Sequence, residues 1–154
     1  MSLINDIILK SAKKNVNLKE EEIKKVLTEL DIMLTRSYSK YSSIKVASVL
    51  CFKNGDIVGG CNIENSSFSH TVCAERCAVF SSLSQGKDLS QVKAVFITSS
   101  EDAYFYPCGA CRQVLKEFIP LSVPIIILKK NNSIFNERSE VYTLGELFPY
   151  PFNL

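Results

Sequence analysis

Residues 92–128 read VKAVFITSSEDAYFYPCGACRQVLKEFIPLSVPIIIL, and this stretch decides the fold. Its two ends, residues 92–98 and 123–128, are apolar runs with the length and composition of buried strands. Between them, Pro107 suits the first turn of a helix over about residues 108–118. A strand, a helix and a second strand in this order predict a sheet that is covered by helices, rather than a helix bundle or a sandwich of sheets.

The sequence on either side supplies the remaining strands. Residues 44–52 are β-branched and apolar, and Asn54-Gly55 then gives the preferred signal for a two-residue hairpin before a strand over residues 57–63. A further strand is expected over residues 134–141. The chain is therefore predicted to be an α/β protein, a three-layer α/β/α sandwich around a five-stranded mixed sheet.

Two further helices are predicted after the hairpin, besides the helix that follows Pro107. Thr71 can cap a helix over about residues 72–84, with Gly86 as its terminator. Right-handed crossovers would place this helix beside the helix over 108–118. Thr143 is expected to cap a last, short helix.

Residues 1–36 are predicted to form an extended N-terminal helical segment. A short amphipathic helix is expected to end near Asn15. Asn17 and Glu20 then resemble a capping arrangement for a second helix over about residues 18–36, whose apolar residues recur at helical spacing.

Composition limits the kinds of partner and the cellular compartment. With 154 residues, 46% of them hydrophobic, the chain is expected to fold as a single domain over residues 1–154. A formal charge of +2 gives no strong reason to bind nucleic acid or anionic membranes. The apolar patch over residues 3–9 is interrupted by Asn5 and Asp6, so it is too polar for a signal peptide or a membrane span. A cytoplasmic location is expected, where cysteines stay reduced.

Three of the six cysteines have the spacing of a metal site. Cys108-Gly109-Ala110-Cys111 begins one predicted helix, and Cys73 lies at the start of another. Three thiols at two adjacent helix starts suit zinc, and three protein ligands leave the fourth position for water, as in catalytic sites. A closed, structural site would need a fourth ligand, for which Cys77 is the obvious candidate and His70 a less suitable one.

Three charged residues adjoin the proposed ligands. Glu75, two residues beyond Cys73, could exchange a proton with metal-activated water without being a ligand. The simpler interpretation is a surface glutamate in the first turn of a helix, where the dipole favours it. Arg76 and Arg112 each adjoin a ligand, so at least one is expected to hydrogen-bond to sulfur and offset the negative charge, unless both face water.

Taken together, these motifs resemble those of the cytidine deaminase family, specifically the small zinc enzymes that act on free nucleosides. The similarity extends from about residue 38 to 152, and the motifs at residues 73–76 and 107–113 match most specifically. The matching stretches are Tyr41-Ser42, Asn62-Ile63-Glu64-Asn65, Cys73-Ala74-Glu75-Arg76 and Pro107-Cys108-Gly109-Ala110-Cys111-Arg112-Gln113.

The resemblance implies roles for further residues. Asn62 and Glu64 would bind the ribose hydroxyls, although without the other motifs they would be read as polar residues closing a sheet edge. The backbone at Ala74, with Glu75, would meet the amide edge of the pyrimidine. The family also implies one Zn²⁺ per chain and a homotetramer with active sites shared between subunits. The residues expected to reach a neighbouring subunit or to cover the base are Ser66, Phe68 and Phe152.

The activity implied is hydrolytic deamination of cytidine and 2′-deoxycytidine to uridine and 2′-deoxyuridine, in pyrimidine salvage. Some positions depart from the family pattern: Ile44 stands where a pocket Phe is common, Ala47-Ser48 replaces Gly-Ala, and Phe68 replaces a frequent Tyr. The departures at Ile44 and Ala47-Ser48 lend some support to an alternative, a deaminase of another cytosine nucleoside such as blasticidin S, whereas Asn62-Ile63-Glu64-Asn65 keeps the residues expected to bind an unmodified ribose. A polynucleotide deaminase would need a basic channel with aromatic residues, which the sequence does not show. A non-catalytic, zinc-stabilised binding module remains a further alternative.

Overall fold

The computed structural model describes residues 2–131 and 134–153. Helices and strands alternate much as the sequence predicts, and 3₁₀ turns lie at Phe68–His70 and Leu89–Gln91. The elements are, in order, α1 (Leu3–Ala12), α2 (Glu20–Arg36), β1 (Val46–Phe52), β2 (Ile57–Cys61), α3 (Ala74–Ser84), β3 (Val92–Ser99), α4 (Gly109–Phe118), β4 (Pro124–Asn131), β5 (Ile134–Thr143) and α5 (Leu144–Leu147).

The strands form one five-stranded mixed sheet in the order β2-β1-β3-β4-β5. The pair β3 and β4 is parallel, and the other three pairs are antiparallel. Alternate side chains of β3 enter two separate cores: Phe96 packs with α1 and α2, whereas Ile97 packs with α3 and α4. The predicted three-layer α/β/α sandwich is therefore confirmed.

Helices α3 and α4 lie side by side on one face of the sheet, as the right-handed crossovers predicted. Helix α3 also packs very close to β2. A Cβ atom added at Gly60 would lie 2.3 Å from the backbone nitrogen of Ala78 and 2.6 Å from the carbonyl oxygen of Ala74. Only glycine fits at this crossing, which sets the position of the N-terminus of α3.

Both cysteine-bearing helices begin later than predicted. Cys73 and Cys108 are themselves the N-cap residues of α3 and α4, so Pro107 precedes the cap instead of occupying the first turn. The prediction that Thr71 caps α3 is wrong, because its hydroxyl accepts a hydrogen bond from the backbone N–H of Asn65 at 3.2 Å. The end of α3 is as predicted, since Gly86 has a φ of +71°, the left-handed conformation that glycine favours after a helix.

Two other local details differ from the sequence prediction. The hairpin loop has three residues instead of two: the N–H of Gly55 donates to the carbonyl of Phe52, and the N–H of Phe52 donates to the carbonyl of Asp56. Gly55 adopts a φ of +87°, as expected for the last residue of such a loop. Helix α2 is capped at Lys19, whose N–H donates to the Glu22 carboxylate at 2.9 Å, and not by Asn17 with Glu20.

The N-terminal helix α1 packs on β5 through a buried polar contact. The carboxylate of Asp6 accepts hydrogen bonds from the N–H and the hydroxyl of Ser139, at 2.8 and 2.7 Å, and from the ammonium of Lys10 at 2.9 Å. This contact attaches the N-terminal segment to the edge strand of the sheet. Over residues 2–131 and 134–153, no helix has the length and apolarity that crossing a membrane requires.

Candidate active site

Three cysteines converge where α3 and α4 begin. The Sγ atoms of Cys73, Cys108 and Cys111 all lie within 4.8 Å of one another. Cys73 and Cys108 cap their helices, and Cys111 is buried in the first turn of α4, where its N–H donates to the sulfur of Cys108 at 3.4 Å. Within the described part of the chain, Cys77 does not join this cluster, so no fourth thiol closes the site.

The chemistry of the three thiols fits a divalent soft cation. The hydrogen bond from the thiol of Cys111, together with the neighbouring Arg76 guanidinium, lowers the pKa of Cys73 to about 5. The same hydrogen bond and burial raise the pKa of Cys111. Several thiolates this close repel one another, and a bound cation removes that repulsion by taking up their charge. A three-sulfur set is one that zinc accepts while keeping an open position.

Glu75 lies beside the cysteines in the first turn of α3. Its side chain is buried, with 4% of the residue exposed, and this burial raises the pKa of the carboxyl group to about 7. The alternative of a solvated surface glutamate is therefore wrong. A carboxyl group in this environment can hold and release a proton near neutral pH.

The two arginines occupy different positions relative to the sulfur atoms. The Arg76 guanidinium donates to the carbonyl of Thr71 at 2.9 Å and approaches the sulfur of Cys73 at 3.7 Å. Arg112 donates instead to the backbone carbonyls of Pro107 and Leu147, at 2.7 Å each. Arg76 is thus placed to offset thiolate charge, while Arg112 ties the start of α4 to the end of α5.

A cavity of about 270 Å³ opens directly above these groups. Cys73, Ala74, Glu75 and Cys108 are among the residues that line it. The other walls are largely apolar and come from β1 and the residues just before it, from β3 and from the segment before α4. Their side chains are Ile44, Val46, Ile97, Phe105 and Tyr106.

Asn62 lines the cavity, and most of its polar atoms already have partners. Its Oδ1 accepts from the hydroxyl of Ser37 at 2.6 Å and from the N–H of Val46 at 2.8 Å, while its Nδ2 donates to the carbonyl of Ile44 at 2.9 Å. One N–H of the amide therefore remains free for a ligand.

Glu64 is buried behind the cavity wall and is not among the residues that line it. Its carboxylate accepts from the hydroxyl of Ser42 and from the backbone N–H groups of Tyr41 and Ser42, at 2.8 and 3.1 Å. The hydrogen bond from the Ser42 hydroxyl is the main reason that the pKa of Glu64 is lowered. Glu64 thus fixes the loop that presents Ser42 and Ile44 to the cavity.

The remaining three predicted site residues lie on the surface and do not line the cavity. Ser66 is exposed, and Phe68 is 64% exposed with its ring against Tyr41 at a centroid distance of 5.8 Å. Phe152 is 67% exposed, and its backbone carbonyl accepts from the Gln113 amide at 3.3 Å. Within one chain, none of the three contributes to the lining of the cavity.

The sequence motifs did not predict the aromatic side of the cavity. Phe105 and Tyr106 line it, and the Tyr106 hydroxyl donates to the carboxylate of Glu140 on β5. Their position in the sequence could have indicated this, because residues 104–106 are three aromatic residues immediately before the Pro107-Cys108 motif. Thr71 also lines the cavity, although the sequence pattern predicted it only as a helix cap.

The site combines three thiols at two adjacent helix N-termini with a buried carboxyl group, and it lies on a five-stranded mixed sheet. This combination is that of the zinc-dependent deaminases. The chain belongs to the cytidine deaminase family. Residues 20–127 match the family model described as the cytidine and deoxycytidylate deaminase zinc-binding region.

Individual relatives agree with this assignment. The chain is 35% identical to a cytidine deaminase of Sporosarcina psychrophila over 132 residues, which are 86% of this chain and 92% of that protein. The crystal structure of cytidine deaminase from Burkholderia pseudomallei superposes with a TM-score of 0.75 at 29% identity, covering 84% of this chain and 98% of that one. Blasticidin-S deaminase of Bacillus cereus is a more distant relative, 26% identical over 90% of this chain and 95% of that protein.

Proposed function

We propose that this protein catalyses the zinc-dependent hydrolytic deamination of cytidine and 2′-deoxycytidine to uridine and 2′-deoxyuridine, with release of ammonia. The observation that carries the proposal is the buried carboxyl group of Glu75 beside the three-thiol cluster, in the lining of a cavity of about 270 Å³. Relatives named cytidine deaminases, similar over most of both chains, support the choice of substrate.

Each residue near the cluster has a part in this reaction. Cys73, Cys108 and Cys111 would hold one zinc ion per chain, and zinc supplies the Lewis acidity that activates water for attack on C4 of the base. Glu75 accepts a proton from the attacking water and donates it to N3 of the ring. It then transfers the remaining proton of the new C4 hydroxyl to the amino group, so that the C4–N bond breaks and ammonia leaves. The guanidinium of Arg76 offsets the charge of the thiolates.

The rest of the cavity would position the nucleoside. Ala74 lines the cavity next to Glu75, and its backbone would meet the amide edge of the base. The free N–H of Asn62 can donate to a ribose hydroxyl, and Glu64 holds Ser42 at the same wall. In this arrangement Glu64 acts on the ribose chiefly through the loop that it fixes.

The same proposal includes a homotetramer with shared active sites, working in pyrimidine salvage in the cytoplasm. Its support is the exposure of Phe68 and Phe152, which leaves two large apolar side chains outside the core of a single chain. Ser66, two residues before Phe68, shares that surface. A neighbouring subunit would bury these groups and bring them to its own cavity or to this one.

A second substrate class is favoured by one specific observation. Ile44 lines the cavity, so the departure from the family pattern at this position changes the shape of the pocket itself. A different cytosine nucleoside, such as blasticidin S, is the alternative that such a change favours. The chemistry at Cys73, Cys108, Cys111 and Glu75 would be the same for either substrate.

The first experiment follows cytidine turnover. Zinc-loaded wild type is expected to convert cytidine to uridine, measured as the loss of ultraviolet absorbance, and the Glu75→Gln variant is expected to lose about 10³-fold or more of that rate. Both proteins should contain one zinc per chain by elemental analysis. Turnover of blasticidin S but not of cytidine by the wild type would replace the proposed substrate with the alternative.

Cysteine variants separate this proposal from a structural zinc module. Cys111→Ser should lose both zinc and turnover, whereas Cys77→Ser should keep both, because Cys77 lies outside the cluster. If the protein were a binding module with four zinc ligands, Cys77→Ser would lose zinc. The wild type would then have no deaminase activity, so Glu75→Gln would have no effect on it.

A further inference from the structure

The segment between β3 and α4 supplies the aromatic wall of the cavity. Phe105 is half-buried and Tyr106 is 44% exposed, so Tyr106 lies nearer the mouth. A side chain this exposed has no surrounding core to hold its ring in one rotamer. Its position at the cavity therefore depends on specific contacts.

Two residues of β5 provide those contacts for Tyr106. Its hydroxyl donates to the carboxylate of Glu140, and the hydroxyl of Tyr142 donates to the same carboxylate at 3.2 Å. The rings of Tyr106 and Tyr142 also lie against each other, with centroids 6.1 Å apart. Glu140 is thus shared between two phenols, and Tyr106 is held at both its ring and its hydroxyl.

The loop that Glu64 fixes contributes no aromatic ring to the cavity lining. The loop fixed by Glu64 presents Ile44, an aliphatic side chain, where the family pattern commonly has Phe. Phe105 and Tyr106 are the aromatic side chains of the cavity lining. An aromatic base is best contacted by a ring in an offset or edge-to-face arrangement. Within a single chain, the aromatic contact to a base in this cavity therefore comes from the side of Phe105 and Tyr106.

We propose that Tyr106 is a specificity-determining residue that contacts the bound nucleoside, and that Glu140 is the positioning residue that holds it there. The proposal rests on the proposed function in one respect, that the ligand is a pyrimidine nucleoside. A fixed tyrosine loses little side-chain entropy when the ligand binds, so releasing it weakens binding even though its ring is still present.

The test is the dissociation constant for uridine, measured by equilibrium dialysis on the zinc-loaded protein, because uridine is not turned over. Tyr106→Phe and Glu140→Val should each raise this constant about 3-fold, and Tyr106→Ala about 10-fold. The double variant Tyr106→Phe with Glu140→Val should bind uridine no more weakly than either single variant, because the two substitutions remove the same hydrogen bond. Glu140→Gln keeps an acceptor for the phenol and should restore binding to within 2-fold of wild type.

Tyr104→Phe is the matched control. The hydroxyl of Tyr104 also donates to β5, to the carbonyl of Arg138 at 3.4 Å, but its side chain does not line the cavity. This variant should bind uridine as tightly as wild type. With cytidine as substrate, Tyr106→Phe should raise KM and leave kcat unchanged, because Tyr106 contacts no reacting atom.

Three outcomes would overturn the proposal. The first is an unchanged uridine affinity in Tyr106→Ala, and the second is additive effects in the double variant. The third is that Tyr104→Phe weakens uridine binding as much as Tyr106→Phe does, because the two tyrosines would then only anchor the segment to β5. A wild type that binds uridine but does not deaminate cytidine would refute the proposed function and leave the role of Tyr106 standing. A wild type that binds neither nucleoside would refute both.

Discussion

Two glutamates near the cavity show how the environment of a side chain determines its function. Burial raises the pKa of Glu75 to about 7, which suits a group that must take up and release a proton. Glu64 accepts three hydrogen bonds, first among them that from the Ser42 hydroxyl, and these lower its pKa. Glu64 therefore stays ionised and holds a loop, while Glu75 is free to act as acid and base.

Gly60 is a residue on which the position of the metal cluster depends. Gly60→Ala should lower the free energy of unfolding by about 3 kcal/mol, because its Cβ would lie 2.3 Å from a backbone nitrogen of α3, which cannot move alone. Since α3 begins at Cys73, the shift should also weaken zinc binding. Urea denaturation and zinc titration measure the two effects.

The neighbouring Gly59 provides the control for this variant. A Cβ at Gly59 would meet Oε1 of Glu29 and Cγ of the buried Met33, both at 2.7 Å, and these are side-chain rather than backbone atoms. Gly59→Ala should therefore cost less than Gly60→Ala, about 1 to 2 kcal/mol, and leave zinc binding unchanged. An equal loss of stability in the two variants would show that the close approach of α3 to β2 is not the reason that Gly60 must be glycine.

The sequence predicts the chemical end of the site but not its aromatic wall. Cys73, Glu75 and the Cys108–Cys111 pair are recognisable because a helix start places nearby residues together without help from the rest of the fold. The contact between Tyr106 and Glu140 joins residues 34 positions apart in the chain. It depends on how the fold brings β5 beside the segment before α4, and residues this far apart in the chain share no local sequence pattern.

At the scale of secondary structure elements, the five strands were predictable and the element ends were not. Apolar runs identify strands because burial in the sheet requires them. Thr71 has the right chemistry for a helix cap, yet its hydroxyl bonds to Asn65, and the helix begins at Cys73 instead. The hairpin after β1 gains one loop residue because Gly55 can take a left-handed conformation there. Such competition between local partners is settled only by the folded structure.

The docking of α1 on β5 should depend on the charge of Asp6. Burial opposes ionisation of this carboxylate, but the hydrogen bonds from Lys10 and Ser139 outweigh it and lower the pKa below the ordinary value of 3.8. Asp6 therefore contributes stability that is complete above about pH 4 to 5 and is lost as the pH falls through the folded-state pKa. Asp6→Asn should lower the free energy of unfolding at pH 7 by about 2 kcal/mol.

The pH dependence distinguishes this role from simple packing. The difference between wild type and Asp6→Asn, measured by urea denaturation at a series of pH values, should shrink as the pH falls below about 4. Release of metal at low pH affects both proteins and cancels in the difference. Glu20→Gln, which removes an exposed pair with Lys24, should leave stability unchanged. If the difference in free energy of unfolding between wild type and Asp6→Asn stays constant down to pH 2.5, the charge of Asp6 does not hold α1 in place.

At the scale of the whole molecule, the exposed aromatic side chains are unlike the rest of the surface. The core on each face of the sheet is closed by buried apolar residues, yet Phe68 and Phe152 remain about two-thirds exposed. Phe68 lies against Tyr41, next to the loop that Glu64 fixes, so a subunit packed on it would also contact the wall of the cavity. Assembly and activity should therefore depend on the same residue.

Sedimentation velocity at micromolar concentration is expected to show a species of four chains for the wild type. Phe68→Ser should shift the protein to smaller species, because each buried phenylalanine stabilises an interface by about 2 kcal/mol or more and the residue recurs in every subunit. Turnover of cytidine should fall in parallel with the loss of the larger species. Leu9→Ser, which changes an exposed apolar residue of α1, should leave the species unchanged. A fully active single chain, or a Phe68→Ser variant that assembles like the wild type, would refute the shared active site.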